Sequence, residues 1–179
     1  MRKTIEFDLS AKSINSAIKE LEHFQTDFFQ KIQLLQERIA NDIALHAQAG
    51  FNTSTSERSW VAGKQGTYQE EKPNVTVDIN PVSMDTTVIV AHGQDAIWVE
   101  FGTGVYYYGS VGSSRHPKGR ELGMTIGSYG KGNGRKRTWG YMESDEFHRT
   151  HGVPATMPMY NAMMDSVSRF YSIAKEVFG

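Results

Sequence analysis

Six histidines and no cysteine in this 179-residue chain leave imidazole and carboxylate groups as the candidate metal ligands and exclude disulfides and thiolate metal sites. His148 and His151 stand three apart, a spacing that can ligate a metal from a helix, with Asp145 and Glu146 beside them. A closed site needs a further ligand cluster, and the sequence supplies none. The competing reading is a polar connection whose histidines bond backbone or face solvent. His92 and Glu100 offer an acid/base pair. A glutamate at the edge of an apolar turn also serves as a salt-bridge partner across a subunit boundary or as a cap. Gly130 to Gly134, with Lys131 inside it, invites comparison with phosphate-binding loops but lacks both the Walker spacing and a strand-to-helix context. No nucleophile has a base at a recognisable spacing, so the expectation is a protein that is not an enzyme and carries no cofactor or metal.

The elements that would position these residues centre on Gly93 to Gly104. Asp95 can cap a short helix, Ala96, Ile97, Val99 and Phe101 give it an apolar side, Trp98 adds bulk, and Gly102 and Gly104 supply the positive φ that ends it. Upstream, Thr4 to Leu9 alternates apolar and polar residues, the pattern of a half-buried strand. From Ala11 to about Ala49 apolar residues recur at helical spacing with no proline, predicting one long helix or two kinked near Gln25 and Thr26. Such a helix outruns one small core, so part of it is expected on another subunit. Gly50 to Lys72 reads as a loop with a short structured piece around Trp60. Asn74 to Ile79 and Thr86 to Ala91 read as a β-hairpin. Thr138 to Met142 reads as a returning strand, and Glu143 to His151 as a polar connection. Pro154 and Pro158 introduce a last helix, Met157 to Val177, whose apolar side is Met159, Met163, Val167, Phe170 and Ala174 and which is expected to lie across the sheet. The fold class is α+β: a long N-terminal and a C-terminal helix on a small antiparallel sheet, in a single domain of residues 1–179.

Between Thr103 and Tyr141 the composition changes. This window holds ten of the seventeen glycines and seven basic residues against one acidic, a net +6. Tyr106, Tyr107 and Tyr108 open it and Tyr129, Trp139 and Tyr141 close it, while Lys131, Arg135, Lys136 and Arg137 form its basic middle. A coreless excursion of this length in a small domain is a projecting loop or hairpin that anchors through its aromatics. Lys plus Arg (19) nearly equals Asp plus Glu (20), so overall charge favours neither a nucleic-acid binder nor a membrane-surface protein. The first residues show no secretory pattern and no window approaches about 18 uncharged apolar residues, so a soluble protein that is not exported is expected.

Ala96 to Gly104, with its Val99-Glu100-Phe101-Gly102-Thr103 core, followed after the glycine-rich window by Thr150 to Ala162 with Pro154, Ala155 and Pro158, resembles the tail-completion or head-tail joining proteins of long-tailed bacteriophages. The resemblance covers most of the chain in order. It implies a structural virion protein, made in the host cytoplasm, that assembles as a ring, commonly of six copies, at the neck. The implied partners are the head connector or adaptor on one side and tail-terminator or tail-tube proteins on the other, with DNA in the channel. Trp98, Glu100, Phe101 and the six aromatics of the window are then expected at subunit or partner interfaces, with Glu100 projecting across one. The basic middle is expected to meet DNA phosphate or an acidic partner, and the window to become ordered only on assembly. Two other classes remain: a nucleic-acid-binding module using Lys131 to Arg137 with Tyr129 or Trp139, and a metal-dependent hydrolase using His148 and His151.

Overall fold

A computed structural model describes residues 4–102, 116–119, 121, 138–150 and 152–179. Its first element is a single unbroken helix, α1 (Ala11–Thr53), about 64 Å long at 1.5 Å per residue. Local chemistry sets its start: Ser10 Oγ accepts from the Ser13 N–H at 3.3 Å, Asp8 Oδ1 from Ser10 N–H at 2.7 Å, and Ser13 Oγ from Asp8 N–H at 3.0 Å. α1 is not divided in two at Gln25 and Thr26. The helix also runs past Gly50, so the first residues expected as loop are its last turn.

The strand expected at Thr4 to Leu9 does not form. The segment pairs with no strand among the described residues, and Phe7 (61%) and Leu9 (92%) are exposed. A strand pattern makes a strand only where a ladder exists to receive it.

The structured piece expected around Trp60 forms as a strand, and the expected loop holds a second strand besides. Strands β1 (Glu57–Val61) and β2 (Tyr68–Glu71) form a hairpin turning through Gly63 and Gly66, both at positive φ. Strands β5 (Trp139–Glu143) and β6 (Glu146–Thr150) form another, so the polar connection expected after Met142 is a strand. Its two-residue turn, Ser144 and Asp145, has φ of 46° and 65°, the left-handed pair that suits a tight hairpin. The hairpins join through β1 and β6 into an antiparallel sheet of order β2-β1-β6-β5, pairing Ser59 with Thr150 and Val61 with His148. These four side chains share one buried face.

A second, two-stranded sheet comes from β3 (Thr76–Ser83) and β4 (Thr86–His92), the expected hairpin. It leads into the short helix α2 (Ala96–Phe101), which ends at Gly102 with φ 78°. The Cβ that Gly93 lacks would overlap the carbonyl of Asn74, so only glycine lets β4 turn into α2 there. Asp95 makes no cap bond; its Oδ2 accepts from Asn74 N–H at 3.1 Å, tying the start of α2 to the residue before β3. Phe51, Val75 and Val99 form the buried centre, flanked by Val77, Ala91, Ala96 and Met159.

The last helix, α3 (Pro158–Phe178), lies along α1 rather than across a sheet. The two run antiparallel: Gly50 meets Pro158, Asp42 bonds Arg169 at 2.8 Å, Arg38 bonds Glu176 at 3.0 Å, and Phe28 and Phe178 stand 6.0 Å apart. Small residues line the seam. Ala40, Ala44 and Ala47 of α1 are buried, as are Ala162 and Ser166 of α3. The bulky stripe expected to face the core is therefore displaced: Met163, Val167 and Phe170 are 44%, 62% and 49% exposed. Because α3 ends beside Phe28, residues 11–27 of α1 extend beyond it.

Candidate functional site

The stretch that organises the sequence also organises the structure, by a route its spacing does not reveal. α2 sets Val99 (0% exposed) into the core, and the next residue, Glu100, is 6% exposed. Glu100 was expected to project from the subunit; it turns inward. Its two carboxylate oxygens accept from the N–H groups of Met159 (2.8 Å) and Tyr160 (3.0 Å). These are donors that the first turn of α3 cannot satisfy for itself, and the positive end of the helix dipole faces the carboxylate. A glutamate on one helix thus caps another, 59 residues downstream.

The cap compensates a local irregularity. Met157, immediately before Pro158, has φ 57° and ψ 49°, a left-handed conformation that costs about 1–2 kcal/mol for a residue with a side chain. Asn161 N–H returns to the Met157 carbonyl at 2.9 Å and Asn161 Nδ2 to the Thr156 carbonyl at 2.9 Å. Thr156 is itself fixed, its N–H on the Val99 carbonyl at 3.0 Å and its hydroxyl 2.8 Å from Ser54 Oγ. α1, α2 and α3 therefore meet in one hydrogen-bonded node.

His116 completes it. Its imidazole lies between the rings of Phe101 (4.4 Å) and Tyr160 (5.2 Å), and Nε2 stands 3.2 Å from Glu100 Oε1. Nδ1 accepts from the Lys118 N–H at 3.0 Å, which leaves Nε2 to carry the proton and donate to the carboxylate. Both ring nitrogens are thus engaged inside the chain. Nothing in the sequence signals this histidine, which sits in the glycine-rich window.

Beside the node opens a largely apolar groove of about 700 Å³. Ile43 of α1, Ile89 and Ala91 of β4, Ile97 and Phe101 of α2, and Met159 and Met163 of α3 line it, with Glu100 and His116 at its base and Lys118 on its rim. Trp98 and Phe101 are half-buried.

The other pairings expected from the sequence are separated. His92 lies 3.3 Å from Asp78 on the exposed face of the β3–β4 hairpin rather than against Glu100. His148 is on a strand, not a helix: it is buried, stacked on Tyr141 at 5.4 Å and 3.9 Å from Glu143. His151, its expected partner, lies outside the described residues. Glu146 pairs with Lys64, whose ammonium holds its carboxyl below the ordinary glutamate value through a hydrogen bond and charge attraction. Among the described residues no three metal-ligating side chains come together. Tyr106, Tyr107, Tyr108, Tyr129, Lys131, Arg135, Lys136 and Arg137 lie outside the described residues, as does the side chain of Trp139. No described helix is long and apolar enough to cross a membrane.

No protein-family model, curated protein or solved structure matches this chain.

Proposed function

We propose that this chain is a structural subunit of a phage neck, a tail-completion or head-tail joining protein that forms a homo-oligomeric ring between the head connector and the tail. The observation that carries the reading is the overrun of α1. Residues 11–27 extend past the end of α3, and on or beside that length Ile18, Leu21, Phe28 and Phe29 are 44–56% exposed. A projecting amphipathic helix with apolar bulk in water is a surface for a neighbour. Val167, Phe170 and Tyr171 on α3 add a second apolar patch. The ordered resemblance of residues 96–104 and 150–162 to the neck family supplies the identity of the assembly, and the net +6 of residues 103–141 suits a position near packaged DNA.

The node at Glu100 fits the same role. It ties α2 and α3 to the end of α1 through the Glu100 and Thr156 hydrogen bonds, as a subunit that must hold one shape in a ring requires. Gold-labelled antibody against the chain tests the reading by electron microscopy of intact tailed particles. Label at the head-tail junction is expected; label on the capsid shell, at the distal tail tip or absent from particles overturns it.

A further inference from the structure

The β3–β4 hairpin has two long edges, and α1 guards each at one place with a glutamine. At the β3 edge, Gln48 Oε1 accepts from Val77 N–H at 2.9 Å and its Nε2 donates to the Val75 carbonyl at 2.9 Å. At the β4 edge, Gln36, with its amide oxygen turned toward the donors, accepts from Thr87 N–H at 3.1 Å and donates to the Met84 carbonyl at 2.9 Å. Because Val77 N–H points away from β4, alternation in the antiparallel ladder turns the backbone groups of its opposite number Ala91, and of Ile89, away from β3 as well. β4 pairs only with β3 among the described strands, so these edge groups have no ladder partner. The same two residues line the apolar groove.

Elsewhere the chain carries a segment with the complementary deficiency. Thr4 to Leu9 has the alternation of a strand, lacks a strand to pair with, and exposes Phe7 and Leu9. It cannot reach the groove of its own subunit. Ile43, the helix residue at the groove, lies 32 positions beyond Ala11, about 48 Å along α1, whereas Phe7 is four residues before Ala11 and so within about 14 Å of it.

We infer that residues 4–8 of one subunit add as an antiparallel third strand to the free β4 edge of a neighbouring copy, with Ile5 and Phe7 entering its apolar groove. Placing Phe7 opposite Ile89 and Ile5 opposite Ala91 satisfies the outward backbone groups and puts both apolar side chains on the groove side, since directly opposed residues share a face. Glu6 then stands on the solvent face opposite Val90. Main-chain bonds supply pairing and the two side chains supply register, the mode by which extended segments augment an exposed sheet edge. Donor arm and acceptor edge are different surfaces of one chain, so the contact is head-to-tail and closes a ring or extends a filament. The inference rests on the ring reading in that the occupant is a second copy.

The chain has no cysteine, so introduced ones react only with each other. Glu6→Cys combined in turn with Val88→Cys, Val90→Cys or His92→Cys samples three registers on one face, and Phe7→Asp is added to each as a control. Oxidised full-length protein is read by denaturing gel and peptide mass, with native mass spectrometry of the unoxidised protein in parallel. The expected result is a covalent ladder of multimers through Glu6→Cys and Val90→Cys, lost with Phe7→Asp. A native ring with no link at any of the three positions overturns the strand addition and leaves the ring standing. A link within a single chain overturns it also. A monomer at every concentration, free of links, overturns both.

Discussion

The carboxylate of Glu100 stands 3.2 Å from His116 Nε2, both side chains 8% exposed, while its oxygens also accept from two N–H groups at the start of α3. Removing such a buried acceptor strands a charge-oriented ring and two helix donors at once. Glu100→Ala should therefore lose about 3 kcal/mol or more of folding stability, and Glu100→Gln, which keeps one accepting oxygen, should lose less. Urea unfolding followed by circular dichroism measures both. A Glu100→Ala protein as stable as the parent would remove the node from its structural role.

Gly93 makes a second demand on the core. Its φ of 133° is strained for any side chain, and an added Cβ would overlap the Asn74 carbonyl. Gly93→Ala should cost on the order of 3 kcal/mol, whereas Gly63→Ala, strained in φ but facing open space, should cost about 1–2 kcal/mol. Equal unfolding midpoints for the two variants would contradict the close approach of Asn74.

The Lys64–Glu146 pair gives a pH dependence with a defined sign. The folded carboxyl titrates below its unfolded value. Its contribution is therefore present above the unfolded value of about 4.3 and is lost as the pH falls through the lower folded value. The pair is solvent-exposed, so the effect on stability is small. Lys64→Met should raise the Glu146 midpoint in a carbon-detected NMR titration toward that of an unperturbed glutamate; an unchanged midpoint would show that Lys64 does not cause the shift.

The overrunning part of α1 allows folding to be tested apart from the proposed assembly. Ile18→Asp with Leu21→Asp changes side chains that are 47% and 56% exposed and lie beyond α3, so stability should change by about 1 kcal/mol or less. Self-association should be abolished, as read by sedimentation velocity. Unchanged association would place the interface elsewhere.

What the sequence makes legible is local. The periodicity of α1, the hairpin around Asn80 to Asp85 and the proline entry to α3 depend on neighbours within a few residues, and each is found. What escapes depends on distant partners. The structured piece around Trp60 is found as β1, but its place between β2 and the distant β6 is not legible, because Ser59 pairs with Thr150 far along the chain; residues 4–9 have the clearer alternation and pair with no strand among the described residues. In α3, hydrophobicity points to Met163 and Val167, but the close approach of two helices selects Ala162 and Ser166, whose small size fits the seam. The importance of residues 93–102 is legible. The direction of Glu100 is not, because its partners, Met159, Tyr160 and His116, are set by tertiary packing.

The most direct test is electron microscopy of particles assembled in the absence of this chain. A neck subunit predicts filled heads and complete tails accumulating separately, with joining restored when purified chain is added to the extract. Intact, joined particles in normal number without the chain would contradict the proposed role at the head-tail junction.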